Sequence, residues 1–209
     1  MPFFAKKTMP VKNLLFDLGK VLYEIDIDGM VDRFNALIPS DKKKLSFSME
    51  GQPGMFDLLD KGQIGVDDFV QSLQAYFDLQ ASASEVMEAW HSILVGVIPG
   101  RIEALKRFAQ RYELGLLSNT NAVHHHRYLP EVKPLLEPMK HVFLSFEMGM
   151  RKPDPAIYQQ VLKETGWRAE ETLFIDDGLK NTEAARRLGF QTLHFRSEDD
   201  FTFLIENYL

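Results

Sequence analysis

Five short runs of the chain are apolar without alternation: NLLFDL (13–18), ELGLLS (113–118), HVFLSF (141–146), TLFID (172–176) and QTLHF (191–195). Continuous runs of this length predict strands covered on both faces, as in a parallel sheet. Between them, apolar residues recur at helical spacing. Residues 154–165 open with Asp154 as a cap and Pro155 at the first helical position, and Gly166 follows their end. Residues 179–188 likewise stop at Gly189. Strand and helix alternate, which predicts an α/β fold with a mostly parallel sheet.

One connection is too long for this pattern. About 90 residues separate the first run from the second, where a crossover needs roughly a dozen. Residues 28–38, 54–62, 66–77 and 82–94 all show helical spacing, and Ser82 with Glu85 has capping-box spacing. No strong strand signal appears there. Only the helix predicted over 100–112 is needed to return to the sheet, so 21–95 reads as a helical insertion after the first strand. Ligands of open α/β sheets bind beyond the carboxyl ends of the strands. An insertion planted there would act as a lid. The C-terminal FTFLIENYL (201–209) reads as a last helix packed on the sheet.

Composition narrows the chemistry. The 209 residues carry a net charge of −6, which argues against nucleic acid as the main partner. Without cysteine, disulfides and thiolate chemistry are excluded. The N-terminal residues lack the apolar stretch of a signal peptide, and no run approaches the length of a membrane span. A cytoplasmic protein, monomeric or homodimeric and without a membrane partner, is the expectation.

Polar residues mark the strand ends. Asp17 ends the first strand and Ser118, Asn119, Thr120 and Asn121 end the second. Arg151 and Lys152 follow the third, and Asp176, Asp177 and Asn181 follow the fourth. Taken singly, each is an ordinary turn or cap. In one parallel sheet they would converge on a single crevice. Carboxylates that close repel one another unless a cation sits among them, and oxygen ligands suit Mg2+. A lysine and a hydroxyl beside that metal would cradle a phosphoryl group.

The order and spacing of these clusters resemble the haloacid dehalogenase superfamily, most of whose members are phosphatases. LLFDLGKVL matches the first motif, with Asp17 at the nucleophile, and Ser118 and Lys152 match the second and third. FIDDGLKNTEAARRLGF matches the acidic fourth motif, and the insertion sits where that family carries its cap. FDLGKV, LSNTNAVH and GMRKPDPAIY are most similar to bacterial sugar-phosphate phosphatases of the glucose-1-phosphate type. The resemblance implies a Rossmann-like core (1–20 and 96–209) with a helical cap (21–95). It also implies a Mg2+-dependent phosphatase acting on a small phosphate ester, a sugar phosphate by preference. Asp17 would form an aspartyl-phosphate. Mg2+ would be held by Asp17, the Gly19 carbonyl and Asp177, with Asp176 and Asn181 nearby or just outside. Ser118 and the Asn119 N–H would bind phosphoryl oxygens, and Lys152 would offset their charge and keep Asp17 ionised.

Gly19 departs from the pattern. Family phosphatases commonly carry there a second Asp that protonates the leaving group, an assistance worth about 10²–10⁴-fold. Three readings follow: a phosphatase with its acid elsewhere, a metal-independent 2-haloacid dehalogenase, or a catalytically weak phospho-ligand binding protein. The acidic pair beside Lys152 favours the first. His124 is the candidate acid, against the blander reading of His124, His125 and His126 as a solvated loop or helix start. Glu24, Asp26 and Asp28 read as linker residues within reach of a sugar. Phe47, Met49, Met55 and Phe56 read as pocket lining or the insertion's own core, and Trp90 and Trp167 share that ambiguity.

Overall fold

The computed structural model describes residues 9–45 and 54–209; Phe47 and Met49 lie outside the described residues. The strands are β1 (Asn13–Phe16), β2 (Tyr23–Ile25), β3 (Leu94–Val97), β4 (Glu113–Ser118), β5 (His141–Leu144), β6 (Thr172–Asp176) and β7 (Gln191–His194). Among the described residues, five of these form one parallel sheet in the order β5-β4-β1-β6-β7. β1 therefore has a neighbour on each side, and all four of its residues are buried. The chain first builds outward from β1 through β4 and β5, then returns to its other side with β6 and β7. That reversal opens a crevice at the carboxyl end of β1, where Asp17 stands.

Side chains along β1 alternate between two cores. Leu14 and Phe16 join Leu105, Phe108, Tyr128 and Leu204, from α5 (Arg101–Phe108), α6 (Ala122–Leu136) and α10 (Glu198–Tyr208). Leu15 joins Ile157, Tyr158, Val161 and Ala185, from α8 (Pro155–Thr165) and α9 (Leu179–Arg187), and Trp167 belongs to this second core. No helix among the described residues is long and apolar enough to cross a membrane.

Between β2 and β3 lie α1 (Ile27–Leu37), α2 (Gly54–Asp60), α3 (Val66–Phe77) and α4 (Ala83–His91). They enclose a third core of their own that includes Phe34, Phe56, Phe69, Leu73 and Trp90, with Met55 packed against it. Ser82 and Glu85 make the expected reciprocal cap of α4.

One feature corrects the sequence reading. β2 and β3 pair as an antiparallel ribbon at the neck of the insertion, with Tyr23 opposite Val97 and Glu24 opposite Gly96. Strands of three and four residues containing a half-exposed Gly are too short to show a period. β3 crosses the boundary expected at 95, and β2 lies just inside the one expected at 21. α6 is a full helix although Pro130 and Pro134 interrupt its hydrogen bonding. Buried Tyr128, Val132 and Leu135 hold it to the core, so packing overrides the local penalty.

The loop after α2 presses on α7 (Ser145–Met148), the turn that follows β5. Gly62 has φ +64°, and a Cβ there would lie 2.3 Å from the Phe146 carbonyl oxygen. Gly62→Ala is expected to cost about 1–2 kcal/mol for the left-handed backbone alone, plus the displacement of backbone from backbone. Urea denaturation should show a midpoint lowered accordingly.

Candidate active site

Asp17 leaves β1 with its N–H bonded to the Ile175 carbonyl at 2.8 Å, so the backbone of β6 fixes its start. Its carboxylate Oδ1 is 2.8 Å from Lys152 Nζ. The same ammonium donates to Asp176 Oδ2 at 2.6 Å and to the Leu117 carbonyl at 2.7 Å. Three acceptors match the three donors of a lysine, and Lys152 is buried. Asn119 positions it from both sides: Lys152 N–H donates to Asn119 Oδ1, and Asn119 Nδ2 donates to the Lys152 carbonyl, each at 2.9 Å.

Asp176 is fully enclosed, and its Oδ1 accepts from Gly178 N–H at 2.7 Å and Asn181 Nδ2 at 2.8 Å. Asp177 is more open and pairs loosely with Lys20 at 3.7 Å. One oxygen each of Asp17, Asp176 and Asp177 lies within 4.8 Å of the others. Burial above all pushes Asp17 up to about 7, with Lys152 opposing the rise and Asp176 and Asp177 adding to it. Burial and repulsion from Asp176 also raise Asp177. Desolvation acts to lower Lys152, but Asp17 and Asp176 outweigh it and leave it raised. Asp17 and Asp176 thus share one ammonium and Asp177 has only a loose one, so carboxylates outnumber cations in a water-poor site. Asn181 Oδ1 is buried beside them without a hydrogen-bond partner. The donor set is all oxygen, which fits a hard divalent cation.

Beyond this cluster opens a crevice of about 200 Å3 between sheet and insertion, lined by Gly19, Ser118 and Asn119 among others. Gly19 does not have the positive φ that would demand glycine. A Cβ there would meet Ile25 Cδ1 of β2 at 3.2 Å. The ribbon therefore crowds the place where a second carboxylate would start.

His124 stands in the first turn of α6, the helix start that one of its readings expected, but it is buried rather than solvated. Its ring stacks on Trp90 at 4.9 Å, with Nε2 3.2 Å from the Trp90 carbonyl and Nδ1 3.4 Å from Asn121 Nδ2. Burial pushes it down to about 3, so at neutral pH the ring is uncharged and has no imidazolium proton to give. His125 packs on Phe146 and Tyr128, and His126 is exposed. Asp26 is taken up as the cap of α1, and Glu24 and Asp28 are exposed.

One residue at the crevice escaped the sequence reading. Asp60, the last residue of α2, reaches in beside Asn121 and Arg151. DLLDKG carries no local sign of this, because a polar residue ending a helix is ordinary.

The haloacid dehalogenase-like hydrolase family profile matches residues 11–189. The chain is 30% identical over 187 residues to D-ribitol-5-phosphate phosphatase of Bacteroides thetaiotaomicron, covering 87% of this chain and 90% of that one. It is 27% identical over 190 residues to a sesquiterpene phosphatase of Aspergillus oryzae, covering 88% and 89%. Among solved structures, a HAD family enzyme of Bacteroides thetaiotaomicron in complex with magnesium superposes with a TM-score of 0.83 at 28% identity, covering 95% of this chain and all (100%) of that one. With a sheet ordered β5-β4-β1-β6-β7, acidic and basic groups meeting at its carboxyl edge, and a profile match over most of its length, the chain belongs to the haloacid dehalogenase-like hydrolase family.

Proposed function

We propose that the protein is a Mg2+-dependent phosphatase of a small phosphorylated metabolite, a sugar phosphate in preference to others. The observation that carries this is the cluster of Asp17, Asp176 and Asp177, the first two of which share Lys152. A 2-haloacid dehalogenase has no use for the additional acidic pair. The relatives named phosphatases, and the magnesium in the similar structure, support the same reading.

In this mechanism a carboxylate oxygen of Asp17 attacks phosphorus, the ester P–O bond breaks, and the alkoxide leaves with a proton taken from solvent water, giving an aspartyl-phosphate and the free alcohol. Water then attacks that phosphorus, releases inorganic phosphate and restores Asp17. Ser118 and the Asn119 N–H hold the phosphoryl oxygens, and Lys152 keeps Asp17 aligned and ionised. Asp17, the Gly19 carbonyl and Asp177, with Asp176 and Asn181 beside them, would hold Mg2+, which would neutralise charge on the incoming phosphate. The insertion acts as the lid over the crevice.

The leaving oxygen has no carboxylate at Gly19 to protonate it and no imidazolium proton of His124 to take. Turnover is therefore expected to fall steeply as the leaving group becomes more basic. A panel of phosphate esters from p-nitrophenyl to alkyl, assayed with Mg2+ and with chelator, checks this. Metal-independent halide release from 2-chloropropionate would refute the whole reading.

The charge cluster also predicts a pH dependence. A carboxyl group raised from 3.8 to about 7 holds a proton in the folded state that the unfolded chain has already lost. Metal-free protein should therefore lose stability as pH rises between about 4 and 7. Mg2+ competes with that proton, so its stabilisation should be larger at pH 8 than at pH 5. Thermal melts with Mg2+ or EDTA at both values test this. An equal or larger shift at pH 5 contradicts the assignment of Asp17 to the metal.

A further inference from the structure

The crevice lining also carries a charge pair that phosphoryl transfer does not use. Asp60 comes from the insertion, and Arg151 and Asn121 come from loops at the sheet's edge. Asp60 Oδ2 lies 3.4 Å from Arg151 Nη1, and Oδ1 lies 3.4 Å from Asn121 Nδ2. Both contacts stand at the outer limit of hydrogen bonding. Only 19% of the Asp60 side chain is exposed, so it is a mostly buried carboxylate with weak partners. Arg151 has a second, longer contact of 3.6 Å with the more open Asp57. Among the described residues lining the crevice, Asp60 is the only carboxylate, and Trp90 and Ile93 beside it are apolar.

This arrangement has a chemical complement. A carboxylate only accepts and a guanidinium only donates, whereas a hydroxyl does both. A hydroxyl set between Asp60 and Arg151 would give each the close partner it lacks. A methylene in the same place would strip water from the pair and return nothing, which is costly for buried charges. The crevice volume of about 200 Å3 also lies below the roughly 300–1,000 Å3 of pockets for drug-sized ligands, so the ligand is short. Burial raises the pKa of Asp60 and Arg151 opposes that rise, as expected for a carboxylate awaiting further donors.

We propose that Asp60 and Arg151, assisted by Asn121, read the hydroxyls of a short polyol phosphate and select it over an alkyl phosphate of equal charge and length. The proposal rests on the phosphatase reading above and names the residues that choose the substrate. Asp60 acts here in recognition, not as the proton donor missing at Gly19.

The test compares a five-carbon alditol phosphate with 1-pentyl phosphate, in the Mg2+-loaded full chain. Wild type should favour the alditol ester in kcat/KM by about 100-fold, and Asp60→Asn and Arg151→Gln should each reduce that ratio about 10- to 100-fold, the range for hydrogen bonds to charged groups. A proton donor would serve both alkyl leaving groups alike, so equal losses on the two esters, with the ratio intact, would overturn the proposal. So would a wild type that does not distinguish them. Calorimetric affinities of both esters for Asp17→Asn read recognition without turnover. If neither ester is hydrolysed the phosphatase reading fails, and the affinities still decide: tighter alditol binding that Asp60→Asn abolishes supports the proposal, and equal affinities overturn it.

Discussion

Asp17→Asn is expected to reduce phosphate-ester hydrolysis by about 10⁴-fold or more, the scale seen when a covalent nucleophile is removed. The same change should stabilise the metal-free protein at pH 8. Asp17 is pushed up to about 7 because it is buried and faces Asp176 and Asp177, so its ionised form is a cost to the fold. Asn has nearly the same shape without that charge. Lys152 keeps its bonds to Asp176 and the Leu117 carbonyl in the variant. At pH 5 wild-type Asp17 carries its proton, and the gain should shrink. Melting curves of both proteins in EDTA at the two pH values, with steady-state assays in Mg2+, check the two halves. Lost activity with lost stability at pH 8 would mean that Asp17 is a structural residue. Such an exchange of stability for function is what strained active sites produce.

The second large effect is expected from Lys152→Met, which keeps the length of the side chain and removes its charge. Asp17, Asp176 and the Leu117 carbonyl would lose their shared donor inside the protein. Removing one partner of a buried ion pair typically costs about 3–5 kcal/mol. At about 2–4 °C per kcal/mol for a chain of this size, Tm should fall by roughly 6–20 °C. Lowering the pH to 5 should recover part of the loss, because Asp17 then protonates and the stranded charge is relieved. Hydrolysis should be abolished, since neither the nucleophile nor the phosphate has a fixed cation from the protein. A variant that melts like wild type would show that Lys152 does not compensate these carboxylates.

The parallel sheet was legible because its strands are covered on both faces. ELGLLS and TLFID are strands over the same residues expected from the sequence, 113–118 and 172–176. HVFLSF ended early, at Leu144, because Ser145 and Phe146 turn into α7. The ribbon of β2 and β3 escaped because its strands are too short for a period to register. The sequence offered only a helix start at His124–His126, and α6 runs on through Pro130 and Pro134 because side chains buried against distant elements outweigh their local penalty.

The site divides in the same way. Asp17, Ser118, Lys152, Asp176 and Asp177 stood out in the sequence because each interrupts or follows an apolar run, and parallel strands deliver all such ends to one edge. That much follows from local patterning and the rules of sheet connection. Which groups touch, and in what charge state, did not. Lys152 finds Asp17 and Asp176 across a sheet assembled from distant segments. His124 stays uncharged because Trp90, from the insertion, covers it. Asp60 enters the crevice because the loop after α2 is seated on the Phe146 carbonyl. Gly19 shows both sides: the sequence alone revealed that a carboxylate is missing there, and only the fold revealed Ile25 closing on the gap. Periodicity reports which face of a segment is apolar, whereas desolvation and pairing depend on what the rest of the chain places against that face.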